Sequence, residues 1–118
     1  MENPKIKELI STIDTYIPEK EIDTILAALN FSQDAHNNQK RKSGEPFINH
    51  PIEVSKILAS IKLDSSSIVS GLLHDTIEDT EISIKDIDKN FGEEVANLVQ
   101  GLTKINHYSL KVNNLKFG

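Results

Sequence analysis

One segment, Leu72–Thr80, constrains the fold of this chain more than any other. It reads LLHDTIEDT, so two leucines lead directly into one histidine and three carboxylates. Residues four apart share one face of a helix, which places Glu78 over His74 and Asp79 over Asp75. The segment therefore predicts a helix whose apolar side borders a cluster of potential metal ligands.

A further histidine, His50, precedes a proline at the predicted start of another helix. Imidazoles and carboxylates bind zinc, manganese or iron, and their mixture does not select among the three. We interpret His50, His74 and Asp75 as a three-ligand metal site, which leaves room for water and substrate. A divalent ion there would acidify water and polarise a phosphoryl oxygen, with Glu78 and Asp79 as general base or water-orienting groups. The pattern indicates metal-assisted hydrolysis.

The same residues have a simpler interpretation. Charged helix faces are the default in globular proteins, so Asp75, Glu78 and Asp79 can form a solvated surface beside an ordinary half-buried His74. The two leucines weaken this alternative, because acidic groups next to them border a buried surface. The residues alone leave both interpretations open.

The rest of the chain predicts consecutive helices with short connections. Of its 118 residues 37% are apolar and few are aromatic, which favours one small helical domain over a β-sandwich. Apolar spacing and capping residues predict six helices. The first three run over about 4–16, from Pro18 to about Asn38, and over about 50–61. The fourth begins after an N-cap at Asp64, the fifth runs from Ser83 to about Asn90, and the sixth covers 93–102. Inward positions are predicted at Ile52, Ile57, Leu58 and Ile61, and at Val95, Leu98, Val99 and Leu102.

Charge and composition exclude several classes of protein. The net charge of −5 opposes non-specific binding to a polyanion such as DNA. The absence of cysteine excludes disulfides and thiolate zinc sites, and suits a reducing compartment. No apolar run approaches the ~20 residues that span a bilayer. We expect a cytoplasmic protein without a membrane segment.

One basic run stands out in this acidic chain, at residues 40–42. Lysine and arginine there can hold a phosphate, and arginine can do so with two parallel hydrogen bonds. Alternatively, the run ends a helix, where its cations complement the negative end of the helix dipole. Taken alone, the second interpretation is the simpler one.

Three stretches together resemble a known family. They read AHNNQKRKSGEPFINHPIEVSKILASIKLD, VSGLLHDTIEDTEIS and FGEEVANLVQGLTKI. They look like the N-terminal part of the hydrolase domain of RelA/SpoT homologues, within the HD phosphohydrolase superfamily, over about residues 31–105. The resemblance implies an all-α HD-domain helical bundle. It also implies manganese-dependent removal of the 3′-pyrophosphate from the stringent-response alarmones ppGpp and pppGpp, giving GDP or GTP.

By that resemblance the motif residues take three roles. His50, His74 and Asp75 match manganese ligands, and Glu78 and Asp79 match the pair that positions or activates water. The residues that match the basic pair lining the nucleotide pocket are Arg41 and Lys42.

The sequence departs from the family pattern at three points. Asn38 stands where glycine is usual, and asparagine tolerates left-handed backbone geometry better than most residues. Phe47 replaces a usual tyrosine and removes a hydroxyl near the site. The third departure is that the family's domain continues beyond the point matched by Gly118, into a segment with another aspartate ligand and nucleotide-binding residues.

We therefore expect residues 1–118 to form a single partial HD hydrolase domain, truncated before its C-terminal helices. Its manganese affinity should be weakened, and apolar faces left bare should favour self-association. Three interpretations stay open: a slow alarmone hydrolase, a catalytically inactive remnant of a split gene, and a helper chain whose partner completes the site. The family places synthetase activity in a later domain, so we do not expect it here.

Overall fold

The computed structural model describes residues 4–36, 44 and 48–104, and their regular structure is entirely helical. Within these ranges there is no strand, so the predicted all-α class is confirmed. None of the described helices has the length and apolar character needed to cross a membrane. The helices are α1 Pro4–Ile13, α2 Glu19–Ala35, α3 Asn49–Ser60, α4 Ser65–Asp79, α5 Ile84–Phe91 and α6, helical over 93–104.

Capping residues fix two of the helix starts as predicted. The Asp64 carboxylate accepts a hydrogen bond of 3.1 Å from the Ser67 N–H at the start of α4. At the start of α5, Ser83 and Asp86 form a reciprocal capping box. Each bond satisfies a backbone donor that the first turn of a helix leaves without an internal partner.

The predicted bounds of two helices differ from the structure by a few residues. Pro18 is the N-cap of α2 and lies just outside its first turn. Helix α1 ends at Ile13, and residues 14–16 form a turn. Both differences lie at helix ends, where the hydrogen-bonding pattern changes gradually.

Helix α4 lies at the centre of the core. Nine consecutive residues, from Ile68 to Thr76, are buried, so this part of the helix is enclosed on all sides. Helices α2 and α3 pack against α4, and α1 packs against α3. The histidine–aspartate pair therefore sits at the end of the central helix.

Two inward positions predicted on α3 are wrong. Ile57 and Ile61 are each 65% exposed, because the face of α3 that contacts the core carries Ile52, Ser55 and Ala59. At 3.6 residues per turn, Ile57 lies about 140° around the helix from Ile52. Apolar spacing predicted the helix correctly and the extent of its buried face incorrectly.

The prediction for α6 is partly confirmed. Val95 and Val99 are buried, whereas Leu102 is half-buried and Leu98 is 39% exposed. We refer to Ile57, Ile61 and Leu98 as the exposed apolar residues.

Removing the α4 cap tests the role of Asp64. Asp64→Ala is expected to lower the free energy of unfolding by about 1 kcal/mol at neutral pH, because the Ser67 N–H loses its acceptor. Asp64→Asn keeps an acceptor and should retain most of the stability. Urea unfolding of the three proteins measures the difference, and equal stability of wild type and Asp64→Ala at neutral pH would refute the capping role.

The same comparison has a defined pH dependence. Hydrogen bonds from the Ser67 hydroxyl and N–H lower the pKa of the Asp64 carboxyl. A lowered pKa in the folded state means that the carboxylate's contribution is complete above its ordinary pKa of about 4. The difference in the free energy of unfolding between wild type and Asp64→Ala should therefore decrease as the pH falls through the lowered pKa of Asp64.

Candidate metal centre

Residues from two helices meet at one point. His50 lies in the first turn of α3, whereas His74 and Asp75 lie near the end of α4. Each contributes one potential ligand atom, and these three atoms lie within 4.8 Å of one another. The structure thus brings together the three residues that the sequence indicated as ligands.

The ring of His74 is held in one orientation. Its Nδ1 lies 2.7 Å from the carbonyl oxygen of Gly71, one turn earlier on α4. A carbonyl only accepts hydrogen bonds, so Nδ1 carries a hydrogen, and in the neutral ring Nε2 then presents a lone pair. Metal-binding histidines commonly use this arrangement, in which the second ring nitrogen donates to an outer acceptor.

The carboxylate of Asp75 lies between the two imidazoles. Its Oδ1 is 3.1 Å from His74 Nε2, and its Oδ2 is 3.6 Å from His50 Nε2. Oδ2 is buried, and the described part of the chain offers it no hydrogen bond. A buried carboxylate oxygen without a donor is unfavourable unless a cation compensates its charge.

This donor set fits a divalent metal ion. Two imidazole nitrogens and one carboxylate oxygen converge. A cation among them would neutralise the charge of Asp75 and accept the lone pair of His74. His74 and Asp75 are buried, whereas the His50 side chain is 42% exposed, so solvent reaches the cluster from the α3 side. The same ligands suit manganese, iron and zinc, so their chemistry does not select one metal.

A cavity of about 350 Å³ adjoins the three ligands. Its other wall is apolar and consists of Val54 and Leu58 from α3, Gly71 from α4 and Leu102 from α6. Apolar walls of this kind lower the local dielectric constant and strengthen charge interactions inside a site. The cavity offers room for water and a phosphoryl group beside the cluster.

Glu78 and Asp79 lie one turn beyond the ligands, and both side chains are exposed. Partial loss of hydration raises the pKa of Asp79, and the negative charge of Asp75 raises it further. His36 and His74 act on this pKa in the opposite direction. A carboxylate with a raised pKa is a stronger base and is better suited to accept a proton from water.

One contributor to the pKa of Asp79 lies on another helix and was not singled out in the sequence. His36 is 3% exposed at the C-cap of α2, and it lowers the pKa of Asp79 across the α2–α4 contact. The sequence signal for its burial is helical spacing, since His36 lies seven residues, about two turns, after the apolar Leu29.

Several residues singled out in the sequence lie outside the described ranges. The structure therefore does not place them relative to the ligands. They are Asn38, Arg41, Lys42 and Phe47.

The chain is similar to known proteins over most of its length. A family profile described as HD domain matches residues 28–114. Over 98 residues the chain is 49% identical to a GTP pyrophosphokinase of Myxococcus xanthus. Over 99 residues it is 44% identical to the bifunctional (p)ppGpp synthase/hydrolase SpoT of Escherichia coli K12. Over 103 residues it is 43% identical to a guanosine-3′,5′-bis(diphosphate) 3′-pyrophosphohydrolase of Borreliella burgdorferi.

These relatives are much longer than the matched segment. The alignments cover 83%, 84% and 87% of this chain but only 13%, 14% and 15% of the respective relatives. The chain thus spans about one seventh of the length of the proteins it resembles.

Adding Mn²⁺ to metal-free protein should raise its melting temperature, because an ion that binds only the folded state stabilises it by mass action. At 100 times the dissociation constant the gain is about 2.7 kcal/mol. Asp75→Asn should abolish most of the shift by removing the central carboxylate. Asp88→Asn, the same substitution at an exposed site on α5, should preserve it. Equal shifts in both variants would show that Mn²⁺ binds elsewhere.

Proposed function

This chain belongs to the HD-domain family, and we propose that it is a manganese-dependent hydrolase that removes the 3′-pyrophosphate from ppGpp and pppGpp. The observation that carries the proposal is the convergence of His50, His74 and Asp75, with one Asp75 oxygen buried and lacking a hydrogen bond among the described residues. The named activities of two relatives, a (p)ppGpp synthase/hydrolase and a 3′-pyrophosphohydrolase, support the substrate class.

The three ligands would hold the metal ion. When bound, the ion supplies Lewis-acid chemistry, in that it acidifies water and polarises a phosphoryl oxygen. The Gly71 carbonyl keeps the His74 ring turned so that Nε2 faces the site. The burial of Asp75 keeps its carboxylate close to both imidazoles. The protein thereby fixes the donors before substrate arrives, which is the basis of electrostatic preorganisation.

Asp79 and Glu78 would manage the proton of the attacking water. Water attacks the phosphorus linked to the ribose 3′-oxygen, and the bond between that phosphorus and the 3′-oxygen breaks. Asp79 accepts a proton from the water, a role that its raised pKa favours. The 3′-oxygen gains a proton, and the products are pyrophosphate and GDP or GTP.

Arg41 and Lys42 would bind the nucleotide phosphates. An arginine guanidinium matches two phosphate oxygens with parallel hydrogen bonds, and lysine adds a compact positive charge. In a chain with a net charge of −5, such a local basic pair is needed to attract a highly anionic substrate.

A second candidate function is that of a chain completed by another polypeptide. The exposed apolar residues favour it, since exposed large aliphatic side chains mark surfaces that associate. We propose that a second polypeptide covers Ile57 and Ile61 and supplies a further ligand to the site. In the isolated protein, a second copy of this chain would take that place.

The hydrolase proposal predicts slow Mn²⁺-dependent release of pyrophosphate from ppGpp. His74→Ala should abolish it, because a ligand is lost. Asp79→Asn should lower kcat by about 100-fold or more, the usual contribution of a general base. Asp88→Asn should leave the rate unchanged. Turnover that survives His74→Ala would contradict the proposed site, and the absence of both turnover and Mn²⁺ binding in wild type would identify an inactive remnant.

The association proposal predicts concentration-dependent oligomers. Replacing both Ile57 and Ile61 with serine should shift the chain to monomer, because the apolar contact is lost, and sedimentation velocity measures the change. The matched control replaces both residues with leucine and should still associate. A wild-type chain that stays monomeric at high concentration would argue against this surface.

A further inference from the structure

We propose that Gly71 is a positioning residue for the metal site: the absence of a side chain there lets α3 and α4 approach closely enough to hold His50 beside His74 and Asp75. The inference rests on the proposed function, since it concerns the geometry of the same three ligands. The inference adds that the metal site requires glycine at position 71, a residue that contributes no side chain to the site.

The two helices are in close contact at Gly71. A Cβ atom added there would lie 2.9 Å from Cδ1 of Leu58, 3.2 Å from Oγ of Ser55 and 3.8 Å from Cγ1 of Val54. All three side chains belong to α3. Carbon atoms in favourable contact are about 3.5–4.0 Å apart, so even one methyl group requires Leu58 or the helix itself to move.

Neighbouring contacts limit how the strain can be relieved. Ser55 is fully buried, and its hydroxyl donates a 3.3 Å hydrogen bond to the carbonyl of Ile68 on α4. Moving α3 away from α4 would lengthen this bond. Moving only Leu58 would change the shape of the cavity beside the three ligands, because its side chain is part of the cavity wall. Either response changes the surroundings of the metal site.

The contact is also close to the ligands along both helices. Asp75 lies four residues after Gly71 on α4, and His50 lies five residues before Ser55 on α3, about one turn in each case. The Gly71 carbonyl itself orients the His74 ring at 2.7 Å. A shift between the helices at Gly71 is therefore transmitted to the 3.6 Å separation of His50 Nε2 and Asp75 Oδ2.

Metal binding tolerates smaller displacements than core packing does, which distinguishes a positioning role for Gly71 from an ordinary packing role. Metal–ligand distances must hold to within about ±0.2 Å, whereas a core adjusts to one methyl group by small shifts and loses modest stability. Alanine also favours the helical state more than glycine does. A few tenths of an ångström at Gly71 should thus impair metal binding far more than folding.

The test compares two glycine-to-alanine variants of the full chain. Gly71→Ala crowds α3, whereas Gly101→Ala places a methyl group on α6 with no described atom within 4 Å. Mn²⁺ affinity is measured from the paramagnetic resonance of free Mn²⁺, and thermal unfolding of the metal-free protein is measured in parallel. Gly71→Ala should weaken Mn²⁺ binding about 10-fold or more, the effect typical of residues that orient ligands. Gly101→Ala should bind Mn²⁺ like wild type.

Two further variants distinguish positioning from general destabilisation. Adding Leu58→Ala to Gly71→Ala removes the nearest atom, so Mn²⁺ affinity should recover although the new cavity lowers the melting temperature further. Ser55→Thr crowds the same contact from α3 and should weaken Mn²⁺ binding too, which preserves the test if Gly71→Ala does not fold. A purely structural role would make affinity and melting temperature change together.

The outcomes also separate this inference from the proposed function. Wild-type affinity in a folded Gly71→Ala, or in Ser55→Thr, overturns the positioning role and leaves the metal site intact. A wild-type chain that does not bind Mn²⁺ overturns both.

Discussion

Helix α4 is buried along nine consecutive residues, so the size of its side chains determines how closely the neighbouring helices pack against it. On the α3 side the surface of α4 is shaped by Gly71, against which Leu58 and Ser55 pack. The first turn of α3 is thereby brought to the last turns of α4, and His50 reaches Asp75. The ligands are held by the hydrophobic core, and the precision of the site depends on the packing of two helices.

The same core holds a group that opposes folding. The Asp75 carboxylate is buried, and within the described residues one of its oxygens lacks a hydrogen bond. The burial of apolar residues on the same helix, such as Leu72 and Leu73, offsets that unfavourable burial, as is common where a binding site is built into a stable scaffold. An ion that binds this carboxylate would remove the penalty, so metal binding and folding are thermodynamically linked.

Features fixed by local chemistry were predictable from the sequence. The caps at Asp64 and Ser83 depend on residues within three positions, and both helix starts agree with the prediction. The order and class of the helices follow from apolar spacing, and the RelA/SpoT resemblance of the motifs is confirmed by the comparisons.

Features that depend on helix packing were not predictable in the same way. The exposure of Ile57 and Ile61 follows from which face of α3 meets α4, and periodicity in one helix does not contain that information. The importance of Gly71 likewise appears only when Leu58 is seen beside it. His74 and Asp75 are adjacent in the sequence, whereas the approach of His50 depends on how two helices pack. The residue types indicated His50 as a third ligand, but its distance from the pair could not be read from the sequence.

The central claim is that two imidazoles and one carboxylate from α3 and α4 bind a divalent ion. Electron spin-echo modulation of Mn²⁺ added to the metal-free chain tests it most directly, because directly bound imidazole nitrogens couple to the electron spin. We predict couplings from two nitrogens, one lost in His50→Gln and the other in His74→Gln. Bound Mn²⁺ without nitrogen coupling, or with couplings unchanged in both variants, would contradict the account.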